Sequence, residues 1–112
     1  MPATELLGSF EHRVLLACLH RGGGAYTASV VNELAERTGR DVAPAAVYIA
    51  LKRLEQRGLV VSELRTESGA GDQRERRYFV PTPEGMELLR QAHGELVALA
   101  RGLEPHLKET RS

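Results

Sequence analysis

Apolar residues change their period at Gly58, and this switch limits the possible folds more than any residue count does. Before it they recur every three or four positions, the spacing of helices with one buried face. After it come Leu59-Val60-Val61-Ser62-Glu63-Leu64 and Arg77-Tyr78-Phe79-Val80, which read as two short strands of a hairpin. From Thr82 the helical period returns. The order helix, helix, helix, hairpin, helix predicts a mainly α chain with a small β-hairpin: a winged helix-turn-helix followed by a long C-terminal dimerisation helix.

The helix limits are predicted from capping chemistry. Ser9 is the expected N-cap of a first helix to about Arg21, with Phe10, Val14, Ala17 and Cys18 inward and Gly22-Gly23-Gly24 as its stop. Leu15, Leu16 and Leu19 widen its apolar surface enough to predict burial against more than one partner. Thr27 is the expected cap of a second helix to about Thr38, ended by Gly39. A third spans 44–57, with Pro44 in its first turn and Gly58 just past its end. Between the strands, 66–76 is rich in Gly, Ser and charge, which predicts a long mobile tip. Thr82-Pro83-Glu84-Gly85 opens the fourth helix, whose Leu89, Ala92, Leu96, Leu99 and Leu103 alternate steps of three and four. That seam extends to His106, and a second copy of the chain is the expected partner. Residues 1–81 then form the winged-helix part with its N-terminal segment, and 82–112 the dimerisation helix and tail, within one structural domain.

Several classes of protein drop out. The longest apolar run, from Val14 to Leu19, is far short of the ~20 residues of a membrane span. No secretory leader is read at the N-terminus, so a cytoplasmic location is expected. Cys18 is the single cysteine, and His12, His20, His93 and His106 are too scattered for zinc spacing. Cys18 and the histidines read as packing or solvated residues before sensors. The sequence contains no phosphate cradle, paired carboxylate motif or nucleophile elbow, so neither an enzyme nor a bound cofactor is expected.

The formal net charge is zero, yet its distribution is uneven. Residues 37–77 hold nine Lys or Arg against six acids, while the flanking thirds are mildly acidic. With 100° per residue and Val47, Leu51 and Leu54 setting the core direction, the outward face of the third helix holds Ala45, Ile49, Lys52, Arg53 and Gln56, with Tyr48 on the flank. Cations reach phosphates or guanine edges, Gln pairs with adenine, and Ala or Ile touches a thymine methyl. Arg74, Arg76 and Arg77 start the returning strand and Arg65 closes the outgoing one, where a wing meets the phosphate backbone. A basic groove-facing helix followed by an Arg-tipped hairpin points to double-stranded DNA.

Leu7-Gly8-Ser9-Phe10-Glu11, Ala25-Tyr26-Thr27, the run from Ala46 to Val60, and Arg77-Tyr78-Phe79-Val80-Pro81-Thr82-Pro83-Glu84-Gly85 resemble PadR-family winged-helix transcriptional regulators over roughly residues 6–90. The single helix after the wing is similar to the compact branch of that family. The resemblance implies a homodimeric repressor of a palindromic operator, released by a small molecule or cell signal, and a phosphate contact for Tyr26. Ala46 joins the DNA-facing set and Phe10 the subunit contact. Ala43, Ala45 and Ala46 stand where relatives often carry Ser, Gly and Thr, so methyl contacts or shape readout must replace hydroxyls. The competing readings are a winged-helix protein-interaction module without specific DNA binding and a non-specific architectural DNA binder.

Overall fold

The computed structural model describes residues 7–69 and 72–108. Three helices come first: α1 (Ser9–Arg21), α2 (Thr27–Thr38) and α3 (Pro44–Gln56). Their starts differ by one residue from two expected caps. Gly8, not Ser9, is the N-cap of α1, and its amide donates to Glu11 Oε1 at 3.4 Å. Tyr26, not Thr27, precedes α2, where the Ser29 hydroxyl accepts the Tyr26 amide at 2.9 Å. In both places the side chain three residues inside the helix reaches back, so the cap position itself needs no hydroxyl. Gly39 and Gly58 take φ of 74° and 76° at the ends of α2 and α3, a region open to glycine at little cost.

The antiparallel strands β1 (Val60–Gly69) and β2 (Asp72–Pro81) pair from Val60 with Pro81 to Gly69 with Asp72. This corrects the expected short strands and the long loop between them; positions 70 and 71 lie outside the described residues. The extension has a cause in side chains that sequence period alone does not show. Arg65 lies opposite Arg76, and Arg76 Nη1 donates diagonally to Glu67 Oε1 at 2.9 Å. Such cross-strand pairs hold a ladder together beyond its apolar base.

Val14, Leu15 and Cys18 of α1 pack with Val30 and Leu34 of α2, Val47, Leu51 and Leu54 of α3, and Phe79 of β2. Phe79 is fully buried, and its amide donates to the Ala25 carbonyl at 2.8 Å, fixing the hairpin base to the turn before α2. Leu15 is sealed in the core, but Leu16 and Leu19 stay on the surface, so α1 is covered on fewer sides than expected.

The last long helix, α4 (Pro83–Ala100), follows β2 almost directly. Thr82 accepts the Gly85 amide at 3.0 Å, donates its hydroxyl to the Gly58 carbonyl at 2.7 Å, and donates its amide to the Leu59 carbonyl at 3.0 Å. Gly85 is forced by this contact: a Cβ there would lie 2.1 Å from the Leu59 oxygen. The expected seam to His106 is not one helix. It stops at Ala100, Gly102 turns with φ 89°, and a separate turn α5 (Glu104–Leu107) follows. Glycine readily takes that left-handed conformation, and the turn places Leu103 off the α4 axis. No helix among the described residues is long and apolar enough to cross a membrane.

Candidate nucleic-acid interface

The core contacts of α3 determine what it offers outward. Val47, Ala50, Leu51 and Leu54 are buried, so Ala45, Tyr48, Ile49, Arg53 and Gln56 face solvent as the helical wheel predicts, and Ala46 is exposed beside them. Among the described residues, Arg53 and Gln56 have no side-chain partner. Both are therefore available to a ligand without first breaking a bond.

Lys52 is placed differently. It is half-buried, with Nζ 2.9 Å from Glu55 Oε1. The other oxygen of that carboxylate, Oε2, accepts the Ser62 hydroxyl from β1, and Ser62 Oγ accepts Arg77 Nη1 from β2 at 2.9 Å. The Ser62 hydroxyl, then Lys52, holds the Glu55 carboxyl below the usual carboxylate range. Four side chains from three elements form one chain of hydrogen bonds at the junction of α3 and the wing. Glu55 and Ser62 were not singled out in the sequence. The three-residue spacing of Lys52 and Glu55 was the available signal for the first link.

The wing arginines do not act as one cluster. Strand alternation puts Arg74 and Arg76 on one face of the ribbon and Arg77 on the other, beside α3. On the first face, Arg76 lies over the Tyr26 ring at 4.5 Å and Arg65 over the Tyr78 ring at 4.2 Å. The two rings meet edge-on at 5.3 Å. Arg65 also donates to the Gly23 carbonyl at 3.0 Å, and Tyr78 donates its hydroxyl to Glu67. The Glu67 hydrogen bond raises the Tyr78 phenol above its ordinary range. These cation–π and ionic contacts stiffen the hairpin and occupy Arg65 and Arg76, leaving Arg74 as the exposed cation of that face.

The expected subunit contact divides in the same way. Leu89 is buried in the domain's own core and Phe10 is packed partly against it, so neither forms an open seam. Ala92 is half-buried, while Leu96, Leu99 and Leu103 are exposed, joined by Val97 and Leu107, which the a/d pattern had left out. A groove of about 200 Å³ runs between the start of α1 and this stretch, lined by Leu7, His12, Leu88, Ala92, Leu96 and Leu99. At its floor His12 Nε2 is buried without a partner among the described residues, and burial, then the nearby His93, lowers the imidazole pKa below 6.5. Cys18 is fully buried, and burial pushes its thiol up to about 12, so it remains a protonated core residue. No three potential metal ligands cluster among the described residues.

Residues 15–91 match the transcriptional regulator PadR-like family. A solved PadR family transcriptional regulator from Eggerthella lenta is 27% identical, with 88% of this chain and 87% of that one covered and a TM-score of 0.63. A PadR family transcription regulator from Clostridium difficile superposes with a TM-score of 0.71 at 22% identity, covering 89% of this chain and all of its own. A winged-helix DNA-binding protein from STIV shares the fold at 17% identity, with 77% and 85% of the two chains covered and a TM-score of 0.56. No curated protein matches the chain.

Proposed function

Because this chain belongs to the PadR-like family of transcriptional regulators, which are DNA-binding proteins and not enzymes, we propose that it is a homodimeric repressor that reads a palindromic operator through α3 and its wing. Residues 1–81 read the duplex in this proposal, and 82–112 join the two copies. The observation that carries it is the outward face of α3. Arg53 and Gln56 are exposed and unpaired there, Tyr48 flanks them, and Lys52 and Arg77 converge at the wing junction. Ala45, Ala46 and Ile49 supply methyl contacts, Arg74 meets the phosphate backbone directly, and Tyr26 and Arg76 join it when Arg76 leaves Glu67 for a phosphate. Exposed Leu96, Leu99 and Leu103 support a subunit contact that holds two copies of α3 one helical turn of DNA apart. A small-molecule effector releases the repressor, which works in the cytoplasm.

Competition binding tests this reading. The protein should prefer the region upstream of its own gene to an unrelated duplex by ~10³ or more. Arg53→Ala should weaken binding and lower the log–log salt slope by about one. Equal affinity for both duplexes would leave an architectural binder, and no affinity for either would leave a protein-interaction module.

A further inference from the structure

Leu16 stays 40% exposed because it lies in an open trough between α1 and α2. The trough has two lobes, of about 340 and 180 Å³. Leu16, Ala17 and Leu34 form the apolar floor of the larger one, and the smaller runs on over Phe10 to Val42 in the turn before α3. Arg13, Leu34, Thr38 and Arg40 line both lobes and so mark the neck between them. We infer that this trough is a binding site for an unbranched aliphatic carboxylate, its chain over Leu16 and Leu34 and its head between Arg13 and Arg40.

Charge at the neck selects an anion. Glu33, the acid of the larger lobe, is already taken: Arg21 Nε lies 2.7 Å from its Oε1, and Arg37 is paired with its Oε2. Arg13 and Arg40 are exposed and have no side-chain partner among the described residues, and Asp41 of the smaller lobe pairs with neither. The backbone of Arg40 is fixed: Gly39 turns with φ 74°, and Thr38 Oγ1 accepts the Arg40 amide at 3.2 Å while donating to the Leu34 carbonyl at 2.7 Å. A carboxylate at the neck accepts from two guanidinium groups, a charge-assisted contact stronger than a neutral one. Shape selects the rest of the ligand. Arg13 at the neck and His20 at the far end are seven residues apart on α1, ~10 Å at 1.5 Å per residue, which suits an extended chain. No Phe, Tyr or Trp lines this lobe to stack a ring. Covering Leu16 removes apolar surface from water and supplies the attraction for the chain. The site uses neither α3 nor the wing, so it stands apart from the reading of DNA.

Decanoate and uncharged decanol test this by calorimetry, with methyl NMR to locate the ligand. Decanoate should bind with a dissociation constant below ~1 mM and about tenfold more tightly than decanol. Arg13→Gln combined with Arg40→Gln should remove that preference and leave decanol binding unchanged, because only the charged head meets the two cations. Both positions are exposed, so the fold should tolerate the change, and the thermal unfolding midpoint checks it. The Leu16, Ala17 and Leu34 methyls should shift during titration. Shifts confined to Leu96 and Leu99 overturn the inference, since the ligand would then lie in the groove against α4. So does the absence of saturable binding below ~1 mM, equal affinity for the two ligands, or a preference that survives both substitutions. A polyglutamate peptide that binds more tightly than decanoate would mark a docking surface for an acidic protein, and decanoate affinity that falls as protein concentration rises would mark a contact between copies. Either result also overturns it.

Discussion

The two halves of α4 share one helical period and meet opposite surroundings. Its first half is capped by Thr82, pressed through Gly85 onto the Leu59 carbonyl and anchored by buried Leu89. Its second half turns Leu96, Val97 and Leu99 to solvent and holds Gly94 in open space. Burying a Leu or Val side chain stabilises by about 1.5–3 kcal/mol, so the bare half leaves unused the stabilisation that the docked half has already gained. A continuous apolar stripe in a sequence therefore states that a helix has a partner, and leaves open whether that partner is its own domain.

The largest effect should come from breaking the docked half. Gly85→Ala places a methyl 2.1 Å from a backbone oxygen that cannot rotate away, and should destabilise by about 3 kcal/mol or more in urea unfolding. Leu96→Glu tests the opposite end. It should leave the fold intact while converting a dimer into single copies in sedimentation, because a charge replaces an exposed leucine of the proposed contact. A wild type that sediments as one copy at every concentration would remove the contrast.

Gly94 lies mid-helix, and a Cβ there would meet no neighbouring element within 4 Å, so Gly94→Ala should stabilise by ~1 kcal/mol in thermal unfolding. The weakest effect is expected at His12, under the groove between α1 and α4. Burial, then His93, lowers its folded pKa below 6.5, so the unfolded chain binds the proton more readily. Its contribution is complete above pH 6.5 and is lost as pH falls from there through the folded value. The unfolding midpoint should drop between pH 7.5 and 5.5, and His12→Gln should shrink that drop.

Where one face of an element is buried, its sequence already carries the answer. Val47, Leu51 and Leu54 fix the rotation of α3, and with it the outward placement of Arg53 and Gln56. Thr82-Pro83-Glu84-Gly85 places the start of α4 correctly because capping is equally local: Thr82 accepts the Gly85 amide three residues on. What the sequence hid depends on contacts between elements. The pairing of Arg76 with Glu67 prolongs the hairpin, and Ser62 reaches Glu55 only after β1 has turned back beside α3. Gly102 marks the end of α4, yet Gly94 lies inside the same helix, so residue type alone could not choose between them.

The hydrogen bonds from Thr82 to Gly58 and Leu59 leave the chain without an elbow. The rod that begins there is ~27 Å long at 1.5 Å per residue, and its root sits on the turn that ends α3. Tilting the far tip therefore levers α3 itself, and an insertion at this joint would swing every downstream side chain to a new azimuth.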